Sequence, residues 1–228
     1  MIYHIQSPEK LAAQINVPAS KSICNRALIL NTLSYSPYEI DNLSDCDDTQ
    51  VVVRALTSDG KDFNIGAAGT AMRFLTAFLS KIFGEWTITG TERMKNRPIA
   101  LLVDALNSIG AEIEYIEKEG YPPLRIKGHA LRGGEISLAG NVSSQYISAL
   151  LMVAPTMELG LKLHLIGDII SKPYINLTIN LMKRFGVECV WQGNTISVVP
   201  QEYIPIKFTV EGDWGAASYW YSMVALSG

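Results

Sequence analysis

Two periodicities alternate along this chain. Apolar residues recur at helical spacing in Ile23, Ala27 and Leu30, in Val52, Val53 and Leu56, in Leu75 and Phe78, from Ile99 to Ile109, in Ile147, Leu150, Leu151 and Val153, and before Phe185-Gly186. Between them lie short extended runs: Tyr38 to Leu43, Phe63-Asn64-Ile65, Trp86 to Gly90, Glu112 to Ile116 with Leu124 to Ile126, Glu135 to Leu138, Leu161 to Ile166, and Val190-Trp191 with Thr195 to Ser197. Strands alternating with helices predict an α/β fold. Element ends are marked as well. Pro18 disfavours helix at Val17, and Ser20 or Ser22 can cap a helix from Ser22 to Leu33. Asp47-Asp48-Thr49 offers polar caps for a second helix running to Gly60, while Gly110 and Gly186 stop two later ones.

The pattern then repeats. Arg97-Pro98-Ile99 to Gly110-Ala111-Glu112 and Lys172-Pro173-Tyr174 to Gly186-Val187-Glu188 are versions of one design about 75 residues apart, too long a period for a solenoid. The section from Ser22 to Ile65 reads as a shorter version. Three related units are expected, each presenting a helix start of small residues: Ser20-Lys21-Ser22, Gly69-Thr70 and Ser143-Ser144-Gln145. Helix starts carry unpaired backbone N–H groups and the positive end of the dipole, so three of them aimed at one place would form a positive focus.

Charge narrows the ligand. Nineteen Lys and Arg against 22 Asp and Glu give a net −3, which argues against a nucleic-acid partner and leaves a local cationic site for small anions. Lys21 sits at the first helix start, Arg26 lies one turn beyond Ser22, and Arg93, Lys95 and Arg97 gather beside Pro98. Capped helices with solvated cations are the structural alternative. Gly66 to Arg73 lacks both the Lys-Ser/Thr ending of a nucleotide P-loop and the third glycine of a dinucleotide fingerprint, so ATP and NAD are set aside. Asp47 and Asp48 read as caps rather than catalysts, and His164, inside an alternating strand, reads as structural. Cys24, Cys46 and Cys189 are odd in number and lack metal-ligand spacing, which disfavours a disulfide framework or a zinc site. With no basic-then-apolar leader at Met1 to Gln6 and no apolar run long enough to span a bilayer, the expectation is a cytoplasmic protein with no membrane partner.

With these residues collected, the chain resembles the first half of the 5-enolpyruvylshikimate-3-phosphate synthase family, the 3-phosphoshikimate 1-carboxyvinyltransferases. The matching stretches are Ser20-Lys21-Ser22-Ile23 with Asn25-Arg26-Ala27-Leu28, Ala68-Gly69-Thr70-Ala71-Met72-Arg73, Arg97-Pro98, Ser143-Ser144-Gln145-Tyr146 and Ser171-Lys172-Pro173-Tyr174-Ile175. Val210-Glu211-Gly212-Asp213 and Ala217-Ser218-Tyr219 extend the match. The resemblance implies an enolpyruvyl-transferase-type inside-out α/β barrel domain of three βαβαββ-like units, with helices inside and sheets facing out. It implies transfer of the enolpyruvyl group of phosphoenolpyruvate to the 5-hydroxyl of shikimate 3-phosphate, in aromatic amino acid biosynthesis. Phosphate leaves through a tetrahedral intermediate, with no metal and no organic cofactor. By resemblance, Lys21 faces both substrates and is the catalytic residue of this half. Ser22, Arg26, Ser143, Ser144, Gln145, Ser171 and Tyr174 hold shikimate 3-phosphate, and Gly69, Arg97 and Gln145 hold phosphoenolpyruvate.

Family members are nearly twice this long, are expected to be monomeric, and close a second domain over the substrates. That domain supplies an aspartate base. The resemblance therefore implies a substrate-binding domain at residues 17–212, severed edges of the second domain at 1–16 and 213–228, and a chain inactive alone. The family usually has Asn at Ala67, Pro at Phe74, Gly at Ala19 and a small pair at Trp214-Gly215. Ala67 removes an amide that bears on affinity for phosphoenolpyruvate or a mimic such as glyphosate, and Trp214 is expected to pack between segments. The alternatives are a non-catalytic anion-binding module and a UDP-N-acetylglucosamine enolpyruvyl transferase. The second has Lys-Asn in place of Lys21-Ser22 and a catalytic cysteine loop with no counterpart here.

Overall fold

In the computed structural model, which describes His4 and residues 12–227, the helices α3 and α6 lie in the middle and the sheets lie outside. The first section holds α1 (Lys21–Leu33), β1 (Ile40–Asp41) and α2 (Asp47–Thr57). The second holds β2 (Asp62–Asn64), α3 (Gly69–Lys81), β3 (Gly84–Thr89), the one-turn α4 (Glu92–Lys95), α5 (Ala100–Ser108), β4 (Glu112–Tyr115) and β5 (Leu124–Gly128). The third holds β6 (Gly134–Ala139), α6 (Ser144–Val153) with a 3-10 turn at Ala154–Thr156, β7 (Leu161–Ile166), α7 (Lys172–Arg184), β8 (Val190–Gln192) and β9 (Thr195–Val198). β10 (Phe208–Thr209) and α8 (Trp214–Ser227) follow.

The expected repeat is present as topology. One sheet has the order β2-β3-β5-β4 and the other β6-β7-β9-β8, each with one parallel pair followed by two antiparallel ones. The helices α5 and α7 end in the same way in both copies, on left-handed glycines Gly110 (φ 102°) and Gly186 (φ 86°). In the shorter first section β1 pairs in parallel with β10, Ile40 opposite Phe208, and Ala19 bridges Gly212. This closes the stretches at Ala19 and Ile40 on those at Gly212 and Phe208.

Why the helices sit inside follows from their composition. Every residue of α3 except Thr70 and Lys81 is buried, and every residue of α6 except Gln145. A helix apolar all round has no face to give to water. Its few hydroxyls bond back into the helix, as Thr76 to the Met72 carbonyl at 2.7 Å and Ser80 to the Thr76 carbonyl at 2.7 Å. The strands instead alternate, one face on the helices and one outward. Outward residues form cross-strand pairs such as Lys127–Glu112 at 2.9 Å, and His164 bridges Thr195 and Glu135 on this outer face, a structural role.

Some local expectations are corrected. The N-cap of α2 is Cys46, and Asp47 and Asp48 lie inside its first turn, where their charge complements the dipole; α2 also stops at Thr57, short of Gly60. Ser20 occupies the N-cap of α1 without a side-chain capping bond. Its own N–H goes to the Glu211 carbonyl at 3.0 Å instead. Trp214 does not pack between segments: it is 70% exposed on α8, a helix with no buried residue. Most of the segment 1–16 lies outside the described residues. Among the described residues no helix is long and apolar enough to cross a membrane, and no group of three His, Cys, Asp or Glu could hold a metal.

Candidate anion-binding site

The helix starts meet. Gln145, the one residue of α6 left unburied, donates from Nε2 to Thr70 Oγ1 at 3.2 Å, joining the starts of α6 and α3 across 75 positions of sequence. Ser143 caps α6 by accepting from the Gln145 N–H at 3.3 Å, which fixes the residue that makes this contact.

One turn deeper, Arg26 ties three helices together. Its Nε donates to Thr178 of α7 at 2.7 Å, Nη2 to Ser148 of α6 at 3.0 Å, and Nη1 to the Ser22 carbonyl at 2.9 Å. Arg26, Ser148 and Thr178 each stand four residues beyond Ser22, Ser144 and Tyr174. A four-residue step is about 6 Å of helix rise, so those three residues lie together one turn nearer the helix starts. Arg26 is 2% exposed and stacks on Phe74, its Cζ 5.2 Å from the ring centroid. Burial pushes its pKa down to about 10, and no carboxylate within ion-pair distance offsets this among the described residues. Two of its five N–H donors remain for a ligand.

The start of α3 is built around Arg97. A Cβ on Gly69 would lie 2.3 Å from Arg97 Nη1, so only glycine permits the guanidinium to rest there. The loop that carries Arg97 is held by Arg73, which donates to the Gly69 carbonyl at 3.0 Å and the Pro98 carbonyl at 3.1 Å, and by Tyr146, whose hydroxyl donates to the Pro98 carbonyl at 2.8 Å. Burial, and then the charges of Arg73 and Arg93, hold the Arg97 pKa below its usual value. Lys21 lies 3.5 Å from Asp48 Oδ1, and Thr49 donates to Asn25 Oδ1 at 3.0 Å, which brings the start of α2 to the same pole.

Lys21, Arg97, Ser143 and Tyr174 are exposed, Ser22, Gln145 and Ser171 half-buried, and Ser144 and Gly69 buried. Ser171 is the N-cap of α7 without a side-chain capping bond, which leaves its hydroxyl unengaged there. Ala67 is exposed beside the α3 start. The face is rich in donors, suited to grip phosphate and carboxylate and to stabilise negative charge. Arg73, Tyr146, Ser148 and Thr178 were not expected as site residues. Arg73 and Tyr146 stood inside quoted motifs, whereas Ser148 and Thr178 carried no signal beyond a polar residue in an apolar helix.

A family model described as EPSP synthase (3-phosphoshikimate 1-carboxyvinyltransferase) matches residues 5–63 and 57–228. A 3-phosphoshikimate 1-carboxyvinyltransferase of Bacteroides fragilis strain YCH46 is 58% identical over 228 residues, all of this chain and 56% of that protein. One of Vibrio vulnificus strain YJ016 is 39% identical over 253 aligned positions, 98% of this chain and 59% of that protein. The chain thus spans a little over half the length of these relatives. The solved EPSP synthase from Acinetobacter baumannii shares the fold, with a TM-score of 0.79 at 20% identity over 90% of this chain and 52% of that one. Helix starts converging on a cationic face, in a chain matched by one family model along nearly its whole length, place it in a single family: the chain belongs to the EPSP synthase (3-phosphoshikimate 1-carboxyvinyltransferase) family.

Proposed function

We propose that this chain is the substrate-holding half of a cytoplasmic, monomeric 3-phosphoshikimate 1-carboxyvinyltransferase, which moves the enolpyruvyl group of phosphoenolpyruvate to the 5-hydroxyl of shikimate 3-phosphate. Residues 17–212 would form the binding domain, and 213–228 an edge of its partner domain. The observation that carries this reading is the paired tie of Arg26 to Ser148 and Thr178, and of Gln145 to Thr70, which gathers the helix starts on one face.

In this reading Ser22, Ser144 and Tyr174, with Ser143 and Ser171 beside them, surround shikimate 3-phosphate, and Arg26 reaches it with its two remaining N–H groups. Arg97 and the N–H groups at Gly69 take phosphoenolpyruvate, and Gln145 and Lys21 stand between the two substrates. The 5-hydroxyl oxygen, giving up its proton, adds to C2 of phosphoenolpyruvate as the C3 methylene takes a proton to become methyl. The tetrahedral centre then loses phosphate while the methyl gives a proton back, restoring the double bond. The residues of this half orient the anions and stabilise charge on them. No proton transfer is assigned to Asp48, which is engaged with Lys21.

Titration calorimetry of the chain with shikimate 3-phosphate, against UDP-N-acetylglucosamine as control, tests the reading. Saturable binding of shikimate 3-phosphate alone is expected, with Arg97→Ala leaving it unchanged while weakening phosphoenolpyruvate. Binding of the control ligand instead, or a folded chain that ignores both, would overturn it.

A further inference from the structure

The helices that start at the cationic face also end together. Leu33 at the end of α1, Lys81 at the end of α3 and Thr156 in the 3-10 turn after α6 all line one cavity of about 680 Å3, at the opposite pole of the domain. Ser34, Tyr35, residues 155–158 and 200–203, and Pro205 complete its wall, and the volume lies in the range of small-molecule sites.

Apart from the exposed Tyr35 hydroxyl, its neutral polar side chains are already used. The Tyr203 hydroxyl donates to the Met152 carbonyl at 2.8 Å, Thr156 to the Val153 carbonyl at 2.7 Å, and Ser34 to the Asn31 carbonyl at 2.8 Å. The Gln201 amide is held on both sides by the Glu188 backbone. What remains is charge on an apolar ground. Lys81 is half-buried, has no ion-pair or hydrogen-bond partner among the described residues, and burial alone draws its pKa down. Glu158 and Glu202 are exposed at the rim and likewise unpaired among the described residues. Leu33, Pro155, Met157, Pro200 and Pro205 supply the apolar surface.

The charges select the ligand by exclusion. A simple anion meets two carboxylates and three negative helix ends, and a simple cation meets Lys81. A small zwitterion with an apolar body answers both signs. We propose that this cavity binds a free α-amino acid with an apolar side chain, its carboxylate on Lys81 and its ammonium toward Glu158 and Glu202. The proposal is independent of what occupies the cationic face.

Titration calorimetry of the whole chain with L-leucine and L-phenylalanine tests it, using 4-methylpentanoate, which lacks the ammonium, and 3-methylbutylamine, which lacks the carboxylate. Saturable binding of at least one amino acid is expected, with both analogues weaker by about tenfold or more, the loss of one charge-assisted contact. Lys81→Met should remove the advantage of leucine over 3-methylbutylamine, and Glu158→Gln with Glu202→Gln its advantage over 4-methylpentanoate. Binding of neither amino acid, an analogue that binds as well as leucine, or a folded Lys81→Met chain of unchanged leucine affinity would overturn the assignment. The ligand series on the unaltered chain stands even if a variant fails to fold.

Discussion

Replacing Gly69 with alanine separates binding from stability. Gly69 opens α3 without a left-handed φ, so its backbone accepts alanine, and the substitution should stabilise the fold by about 0.4–1 kcal/mol through the unfolded chain. The new methyl, however, meets Arg97 Nη1 at 2.3 Å, whereas ordinary contact begins near 3.4 Å. Arg97 is exposed and flexible, so it is the guanidinium that retreats, by about 1 Å, while the helix stays. A displacement of about that size in a group that orients a substrate costs on the order of a hundredfold, or about 2.8 kcal/mol. The assay is phosphoenolpyruvate titration of Gly69→Ala in the presence of shikimate 3-phosphate, beside a thermal melt. In an Arg97→Ala background the methyl has nothing to strike, and adding Gly69→Ala should then cost almost nothing. Strictly additive losses in the double variant, or wild-type affinity in Gly69→Ala, would refute the reasoning.

Arg26→Met should leave folding stability within about 1 kcal/mol of the parent. It exchanges a desolvated, carboxylate-free cation for an apolar chain and leaves Ser148 and Thr178 bonded to each other at 2.8 Å, yet shikimate 3-phosphate affinity should fall by about tenfold or more; calorimetry and a melt on one sample check both halves. Asp48→Asn frees Lys21 from a partly exposed pair worth about 0.5–1 kcal/mol, so shikimate 3-phosphate should bind about 2- to 5-fold tighter, and weaker binding would mean that Asp48 orients Lys21. Among the cysteines, Cys46 should be alkylated first by iodoacetamide at pH 8. Burial raises its pKa, but hydrogen bonds with Ser44 and Thr49 bring it below the ordinary value, so more of it is thiolate. Burial pushes Cys24 up and Cys189 up to about 12, and peptide mapping that found either modified ahead of Cys46 would contradict this order.

The fold was legible because its signals are local and repeated. Arg97-Pro98 and Lys172-Pro173 open the same kind of helix, Gly110 and Gly186 close it, and the two sheets have matching strand order. What failed at element ends were single caps. Aspartate is a better cap than cysteine by propensity, but the chain enters α2 with Cys46 in the extended conformation, and Asp48 turns to Lys21 instead. Trp214 was misread for a different reason. It was expected to pack between segments as a bulky residue near the return crossing, yet it stands 70% exposed on α8, where no residue is buried. The candidate face was legible as a set of helix starts, whereas its supports were not. Ser148 and Thr178 are polar residues in buried helices, and nothing in their neighbourhoods announces that one arginine 122 and 152 positions away will meet both.

The two poles of the domain follow from one packing decision. α3 and α6 are buried along nearly their whole length and α1 packs against both, and their shared starts and shared ends show that the three run in the same sense. Side by side in that sense, their dipoles add a positive field at one pole and a negative field at the other. Local rules would then place carboxylates at the starts. The chain does so at Asp47 and Asp48 of α2 and at Glu92 of α4, but the first turns of α1, α3 and α6 hold no carboxylate, and Lys21, Arg26, Arg73 and Arg97 are added to a pole that is already positive. Arg26 is even taken out of water there without a counterion among the described residues. Charge placed against the dipole is unfavourable in the free chain and becomes favourable when an anion arrives. The candidate site is therefore the place where the sequence departs from what stability alone would choose.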